Sequence, residues 1–354
     1  MTLINRIPFR PAETAGFFTR LTQPLTGLPS AVPLPSYSRE LFLTEAGRNE
    51  IVLYTDGETV RLTGIFPEAS ADAFFGFWET TNDANPNREA FALLEADARQ
   101  RGRQRLIGPV NFNTFHAYRL RLTEPSWGAF DREPANPAYY PALLRQLGFQ
   151  ESSRFESRRI RKEDIPLAYR QKKDLLDALS LLPFRCIPLT PEAWQDYEDA
   201  IYTLVGEIFS ANPVYRPVSR EQFHWLYDQA FAEKLCPHSS VLFQDFSTGK
   251  LVAMSFCLPD YQTLPPGPGE TPVFARDYAR LSRKTLLVKS VGVHPAYRKQ
   301  GLMSFLGAYG MVHFQEYYEE VIFCLMRSDN FSLQFSKSLP HETACYALFE
   351  KSVS

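Results

Sequence analysis

Apolar residues recur along this chain at two spacings, one of strands and one of helices. The Pro-rich stretch from Met1 to Ser38, with PLTGLPSAVPLP at its centre, predicts an extended surface arm that enters a sheet near Glu50. Phe17, Phe18 and Leu21 mark that arm as packed. Glu50–Tyr54 and Thr59–Phe66 read as strands joined by an Asp56-Gly57 hairpin turn, and Phe74–Glu79 as a third. Asn87–Gly102 has helical spacing, with Phe91, Leu94 and Ala98 on one face, and Leu106–Phe112 returns as a strand. Asn136–Phe149 (NPAYYPALLRQLGF) reads as a helix stopped by Gly148.

Arg158–Leu182 reads as a charged linker, RRIRKED followed by an amphipathic helix through Leu175, Leu176 and Leu179. Pro183 and Pro188 punctuate a boundary. Pro191–Phe209 is a predicted helix with Thr190 as N-cap, followed by Glu221–Glu233 with Ser219 near its cap. Val241–Asp245 and Lys250–Leu258 form a hairpin around Ser247-Thr248-Gly249. The glycine-rich Pro265–Pro272 lacks a strand before it and a helix after it, so it is a loop. Leu286–Val293 fits a buried strand, and helical spacing resumes at Leu302, Phe305, Leu306, Tyr309 and Val312. Val321–Met326, a short helix Asp329–Ser338 and a closing strand Ala344–Glu350 complete the second half.

Between the Leu286–Val293 strand and its helix lies Arg298-Lys299-Gln300-Gly301-Leu302-Met303. The first turn of a helix leaves N–H groups without intrahelical partners and carries partial positive charge. Gly301 has no Cβ to hold an anion away from the main chain, and Arg298 and Lys299 add formal charge. The stretch reads as a diphosphate seat.

A length of 354 residues favours two domains, and 44% hydrophobic with 22% charged residues is ordinary for a globular chain. A net charge of −2 argues against a nucleic-acid partner. No run approaches a membrane span and no secretory segment opens the chain, so a cytoplasmic location is expected, with no membrane partner. Cys186, Cys236, Cys257, Cys324 and Cys345 lack CxxC spacing and read as reduced thiols; Cys257, with no His beside it in sequence, reads as an inert core thiol. His116, His224, His238, His294, His313 and His341 form no metal-binding pair, so no metal is expected.

The run VGVHPAYRKQGLM resembles the acetyl-CoA signature of the GNAT N-acetyltransferases, Arg/Gln-x-x-Gly-x-Gly/Ala after a strand ending in V-x-P. Arg298 and Gly301 match, and Met303 stands where the family usually has Gly or Ala. The order of elements from Pro183 onward also matches that fold. The first half resembles the same fold without its coenzyme loop, since ETTNDANP occupies the equivalent stretch and NPAYYPALLRQLGF is similar to the fold's last helix. The resemblance implies an α/β (α+β) protein with two GNAT-like domains in tandem, each a mixed, mostly antiparallel twisted sheet flanked by helices. The expected division is 1–160 for a degenerate domain, 161–183 for a helical linker and 184–354 for the coenzyme-binding domain.

The same resemblance implies acetyl-CoA, or another acyl-CoA, as co-substrate and a small-molecule amine as acceptor, with direct transfer between them. Val291, Gly292 and Val293 would pair with the pantetheine arm; a glycine there also suits a bulge. Arg298, Lys299, Gln300, Gly301, Leu302, Met303 and Ser304 would hold the diphosphate, with Asn330, Ser332 and Phe335 as further coenzyme contacts. Ser290 stands where the family often has a carboxylate. A base must then come from Asp260 or Glu207, and Tyr346 is the candidate acid for the leaving thiolate. Tyr202, Phe209, Tyr215 and Trp225 are candidate cleft aromatics. Two other readings stay open: a non-catalytic acyl-CoA sensor, and an aminoacyl-tRNA-dependent transferase, which the acidic balance disfavours. The sequence leaves monomer and homodimer equally open.

Overall fold

The computed structural model describes residues 3–28, 39–165, 174–175, 177–178, 181–265, 270–312, 314–330, 333–334 and 336–353. Ser332, Phe335, Leu176, Leu179 and the centre of the Pro-rich arm lie outside the described residues. Among those described, no helix is long and apolar enough to cross a membrane. The chain forms two compact units, Met1–Glu124 with Pro134–Arg154 and Cys345–Ser354, and Pro125–Glu133 with Phe155–Ala344.

Unit 1 holds β1 (Asn5–Pro8), α1 (Thr14–Thr22), α2 (Arg39–Ala46), β2 (Asn49–Thr55), β3 (Val60–Pro67) and β4 (Asp72–Thr80). There follow α3 (Ala84–Gln100), β5 (Arg105–Gly108), β6 (Leu120–Arg121) and α4 (Tyr140–Gln146). The arm does enter the sheet where the sequence predicts, since Asn5–Pro8 pair with Thr55–Val52. Phe17 and Leu21 are buried on a helix, because their spacing is helical inside a stretch read as extended. Gly57, at φ 84°, makes the predicted hairpin turn. Helix α3 buries Ala90, Phe91, Leu94 and Ala98 against the sheet, and the rings of Phe75, Phe91 and Phe149 meet at 5.2–5.3 Å. The strand read as Leu106–Phe112 stops at Gly108, where a cis Gly108–Pro109 bond turns the chain. The predicted Asn136 helix begins only at Tyr140 and ends before Gly148, at φ 86°.

Unit 2 contains most of β7 (Gln150–Arg161), then β8 (Phe184–Pro188), α5 (Pro191–Phe209), α6 (Arg220–Leu226), α7 (Gln229–Lys234), β9 (Val241–Asp245) and β10 (Leu251–Pro259). After α8 (Phe274–Asp277) come β11 (Thr285–Val293), α9 (Leu302–Val312), α10 (Phe314–Tyr317) and β12 (Glu320–Arg327). Thr190 caps α5 as predicted, its side chain accepting the Ala193 N–H at 3.2 Å. The single helix read over Glu221–Glu233 is two, because Asp228 breaks out to accept the Phe231 N–H and cap α7.

Strands β7 and β8 escaped the sequence reading. Arg158–Arg161 is strand, not linker: Phe155, Ser157 and Arg159 are buried at a spacing of two. Its charges are compensated, Arg158 donating to the Leu333 carbonyl and Ser336 Oγ, each at 3.1 Å, and Arg159 to Glu342 at 2.6 Å. Phe184–Pro188, read as a boundary between two prolines, pairs along its length with β9.

Each unit has the same strand plan. In unit 1 the order is β1-β2-β3-β4-β5 and then β13 (Glu342–Ser352). In unit 2 it is β8-β9-β10-β11-β12-β7. The first four strands run antiparallel, the fifth pairs in parallel with the fourth, and the sixth is antiparallel again. A helix, α3 or α9, makes the parallel crossover. The closing strand of each comes from a distant part of the sequence. The Ala344–Glu350 segment, expected to close the second half, instead pairs Phe349–Ser352 with Gly108–Arg105 of unit 1.

Candidate functional site

Strand β11 carries the site in unit 2. It pairs with β10 as far as Val293, opposite Ala253, but with β12 only from Thr285 to Val288. Beyond the Val288–Phe323 pair its parallel neighbour departs. At the same point the register with β10 slips, with Phe256 opposite Ser290 and Cys257 opposite Val288, so Lys289 is the extra residue of a β-bulge. A bulge twists the strand and frees main-chain groups from the ladder. Gly292 answers to packing, because a Cβ there would lie 2.4 Å from Ile208 Cγ2 of α5. The close approach it permits is that of a helix.

The strand runs out through His294 into a 3₁₀ turn, Pro295–Gln300. His294 Nδ1 accepts the Ala296 N–H at 3.1 Å, while Nε2 sits 3.1 Å from Glu207 Oε2. Tyr297 donates to Asp245 at 2.8 Å and ties the turn to the β9–β10 hairpin. The hydroxyl of Ser247, and after it that of Tyr297, holds the Asp245 carboxyl down at about 2. Gly301 then adopts φ 75°, a left-handed conformation that only glycine takes without strain. A Cβ added there would meet nothing within 4 Å, so the main chain is open to an approaching group. The first turn of α9 follows directly, with the Ser304 N–H already on the Gly301 carbonyl at 2.9 Å and the N–H groups of Leu302 and Met303 ahead of it.

The predicted contacts divide by role. Lys299, Gln300 and Gly301 are exposed, and Met303 and Ser304 are half-buried. Leu302 is buried in the core with Phe305, so it offers an anion only its N–H. Arg298 is exposed but bonded, its guanidinium 3.4 Å from the Val293 carbonyl and 3.3 Å from that of Ile208. It cross-ties strand, turn and the end of α5. Asn330 lies in an exposed turn, its N–H on the Arg327 carbonyl at 2.9 Å.

The catalytic candidates do not converge. Ser290 is half-buried, next to the bulge. Asp260 is buried at the start of β11, its N–H on the Thr285 carbonyl and its carboxylate capping the Gln262 N–H. Burial pushes that carboxyl up from its ordinary range. Glu207, half-exposed, stands at the other end of β11, facing His294. Tyr346 is fully buried on β13 in unit 1, opposite Arg121. Cys257 is buried, its thiol pushed up to about 12 by desolvation. Among the described residues no group of three His, Cys, Asp or Glu is placed to hold a metal. Tyr202 donates to the Val218 carbonyl at 3.0 Å, and Trp225 is exposed. The residue that sequence reasoning passed over is Lys289, whose ammonium reaches the Asp131 carbonyl at 2.6 Å and lies over the Phe130 ring.

Unit 1 builds the same parting and fills it. Its parallel pair, β4 with β5, covers only Asp72–Phe74. The register with β3 slips between Arg61 and Thr63, and Phe77 sits at φ 47°. Here Asn111 Oδ1 accepts the Phe77 N–H and the Val110 N–H donates to the Phe75 carbonyl, both at 2.7 Å. A Cβ at Gly76 would stand 2.3 Å from the Val110 oxygen. At the head of α3, Asp83 accepts the Asn85 N–H, and Asn87 bonds both Thr80 Oγ1 and the Trp78 indole. The Tyr139 and Tyr140 hydroxyls take the Thr80 carbonyl and N–H. Side chains and backbone of the unit occupy what unit 2 leaves open.

No protein-family model matches this sequence, and no curated protein matches it. Solved structures do. A conserved protein of unknown function from Enterococcus faecalis V583, named a probable N-acyltransferase, aligns with TM-score 0.52 at 10% identity, over 99% of this chain and 73% of that one. A tandem GNAT protein from the clavulanic acid biosynthesis pathway aligns at 0.48 and 12% identity, over 99% of each chain. A GCN5-related N-acetyltransferase from Sphaerobacter thermophilus gives 0.45 and 14%, over 99% and 96%. Identities this low speak to fold and to nothing finer. Two units of one strand plan, each with its parallel pair parted at a bulge, have the tandem fold that the GNAT resemblance implies, and the chain shares its fold with the Enterococcus faecalis protein.

Proposed function

We infer that unit 2 binds an acyl-CoA and transfers its acyl group to a small amine. One observation carries the reading: a single strand, β11, holds both the bulge at the parting and the open Gly301 turn at its end. The turn and the first turn of α9 receive the diphosphate, with Lys299 and Arg298 adding charge. The edge of β11 beyond Val288 takes the pantetheine amides, as a sheet edge takes an added strand. The thioester then reaches the bulge, where a main-chain N–H polarises its carbonyl. The amine nitrogen attacks the carbonyl carbon, the C–N bond forms as C–S breaks, and CoA leaves as a thiolate. The ammonium proton passes to a carboxylate through water, and solvent reprotonates the thiolate.

Calorimetry of the unaltered protein with CoA and acetyl-CoA tests the seat, and absence of heat with either ligand removes the reading. A panel of amines, followed by release of free thiol, then separates a transferase from a binding protein.

Of the two carboxylates, Asp260 suits proton acceptance better, since burial has already raised its affinity for a proton. Asp260→Asn lowers turnover about 100-fold with acyl-CoA affinity kept. The stability signature is opposite in sense. A carboxyl whose folded pKa lies above its unfolded one holds extra protons in the folded state between those values, so stability falls as pH rises through that window. Asparagine removes this fall and keeps the cap, so Asp260→Asn is as stable as the parent at pH 7, or more so. Unchanged turnover in that variant moves the base to Glu207.

A further inference from the structure

Beneath α9 lies a cavity of about 20 Å³, walled by β10, β11, β12 and the helix. Its lining includes Val288 and Phe323, the last parallel pair before β11 and β12 separate, so it adjoins the point where the thioester would arrive. Its walls are apolar apart from Ser255 and Cys257, and those two lie 3.3 Å apart and satisfy one another. Such a lining offers water few partners.

On the helix, Gly307 and Gly310 line this space. Glycine in a helix interior is unfavourable relative to alanine. Gly310 has no positive φ to require it, and a Cβ there would meet nothing within 4 Å. The fold by itself gives no reason for a glycine at this place. A ligand entering from the parting does.

We propose that this cavity receives the hydrocarbon of a short acyl group, so that unit 2 favours a three- or four-carbon acyl-CoA over acetyl-CoA. The proposal rests on the acyl-CoA reading of unit 2. The methyl of an acetyl group reaches only the mouth at Val288 and Phe323. Each further methylene passes out of water into contact with Leu306, Gly310 and Cys257 and tightens binding about fourfold.

Calorimetry on the full chain compares acetyl-CoA with butyryl-CoA. The expected result is butyryl-CoA binding on the order of tenfold tighter. Gly310→Ala narrows the ratio and raises Tm, and Gly310→Leu brings the ratio to one or below. Should the leucine variant fail to fold, the alanine variant decides, since its added methyl enters free space. Equal affinity for the two ligands in the unaltered protein overturns the acyl cavity and leaves the coenzyme seat standing. A Gly310→Ala change that weakens both ligands alike also overturns it. If neither ligand binds, the coenzyme reading itself has failed.

Discussion

Gly301→Glu abolishes CoA binding in a protein that still folds, with a loss of 100-fold or more (order of magnitude). Two effects add at this residue. The backbone sits at φ 75°, where any side chain costs about 1–2 kcal/mol, so Tm falls modestly. The new side chain projects into the open space above the turn, where it places a carboxylate against the diphosphate. Like charges set face to face in an interface cost several kcal/mol, and this repulsion dominates. Gly301→Ala separates the terms: it carries the same strain without charge and loses no more than about tenfold in affinity. Arg298→Ala has a milder effect on binding than its charge suggests, because its guanidinium already holds the Val293 and Ile208 carbonyls. Equal CoA affinity in the Glu and Ala variants, measured by calorimetry, would place the diphosphate elsewhere.

Arg61→Ala destabilises unit 1 by roughly 3–5 kcal/mol, the largest stability effect we expect in the chain. Arg61 is 1% exposed, its guanidinium paired with Glu79 and bonded to the Gln23 carbonyl at the end of α1. Burial pulls the Arg61 pKa down and pushes the Glu79 pKa up, which are the marks of two charges taken out of water together. Removing one leaves the other buried without its counter-charge. Arg61→Met with Glu79→Leu removes both, fills similar volume and recovers most of the loss. Thermal unfolding followed by calorimetry shows the early transition in the single variant and its return in the double. A single variant that melts like the parent would mean that water already reaches the pair.

The sequence revealed most where the signal is local. Thr190 before Pro191, the Asp56-Gly57 turn, and the Leu286–Val293 strand running into Gly301 are each written within a few residues, and the structure has them in place. Strand β7 was hidden because arginines at 158, 159 and 161 mimic a solvated run. What makes them strand residues is a set of partners 170 to 180 positions away, such as Leu333 and Ser336 for Arg158. The break at Asp228 was hidden by apolar residues on both sides that keep helical spacing. The bulge at Lys289 was not placed from the sequence, where the consecutive apolar residues Leu286 to Val288 hide any alternation, and the packing role of Gly292 depended on Ile208, far away in sequence. Which sheet a closing strand joins is not written in the strand itself. Alternation gives β13 two faces but names no neighbour.

That last point bears on the order in which the protein is made. Unit 2 owns all six of its strands once the ribosome has passed Arg327, because β7 precedes the rest. Unit 1 is translated first, yet it waits for Cys345–Ser352 before β5 acquires its antiparallel neighbour. Until then the early half carries a bare sheet edge, the kind that recruits strands from other chains. The half encoded second is the first to finish, and the early half depends on a strand translated after it.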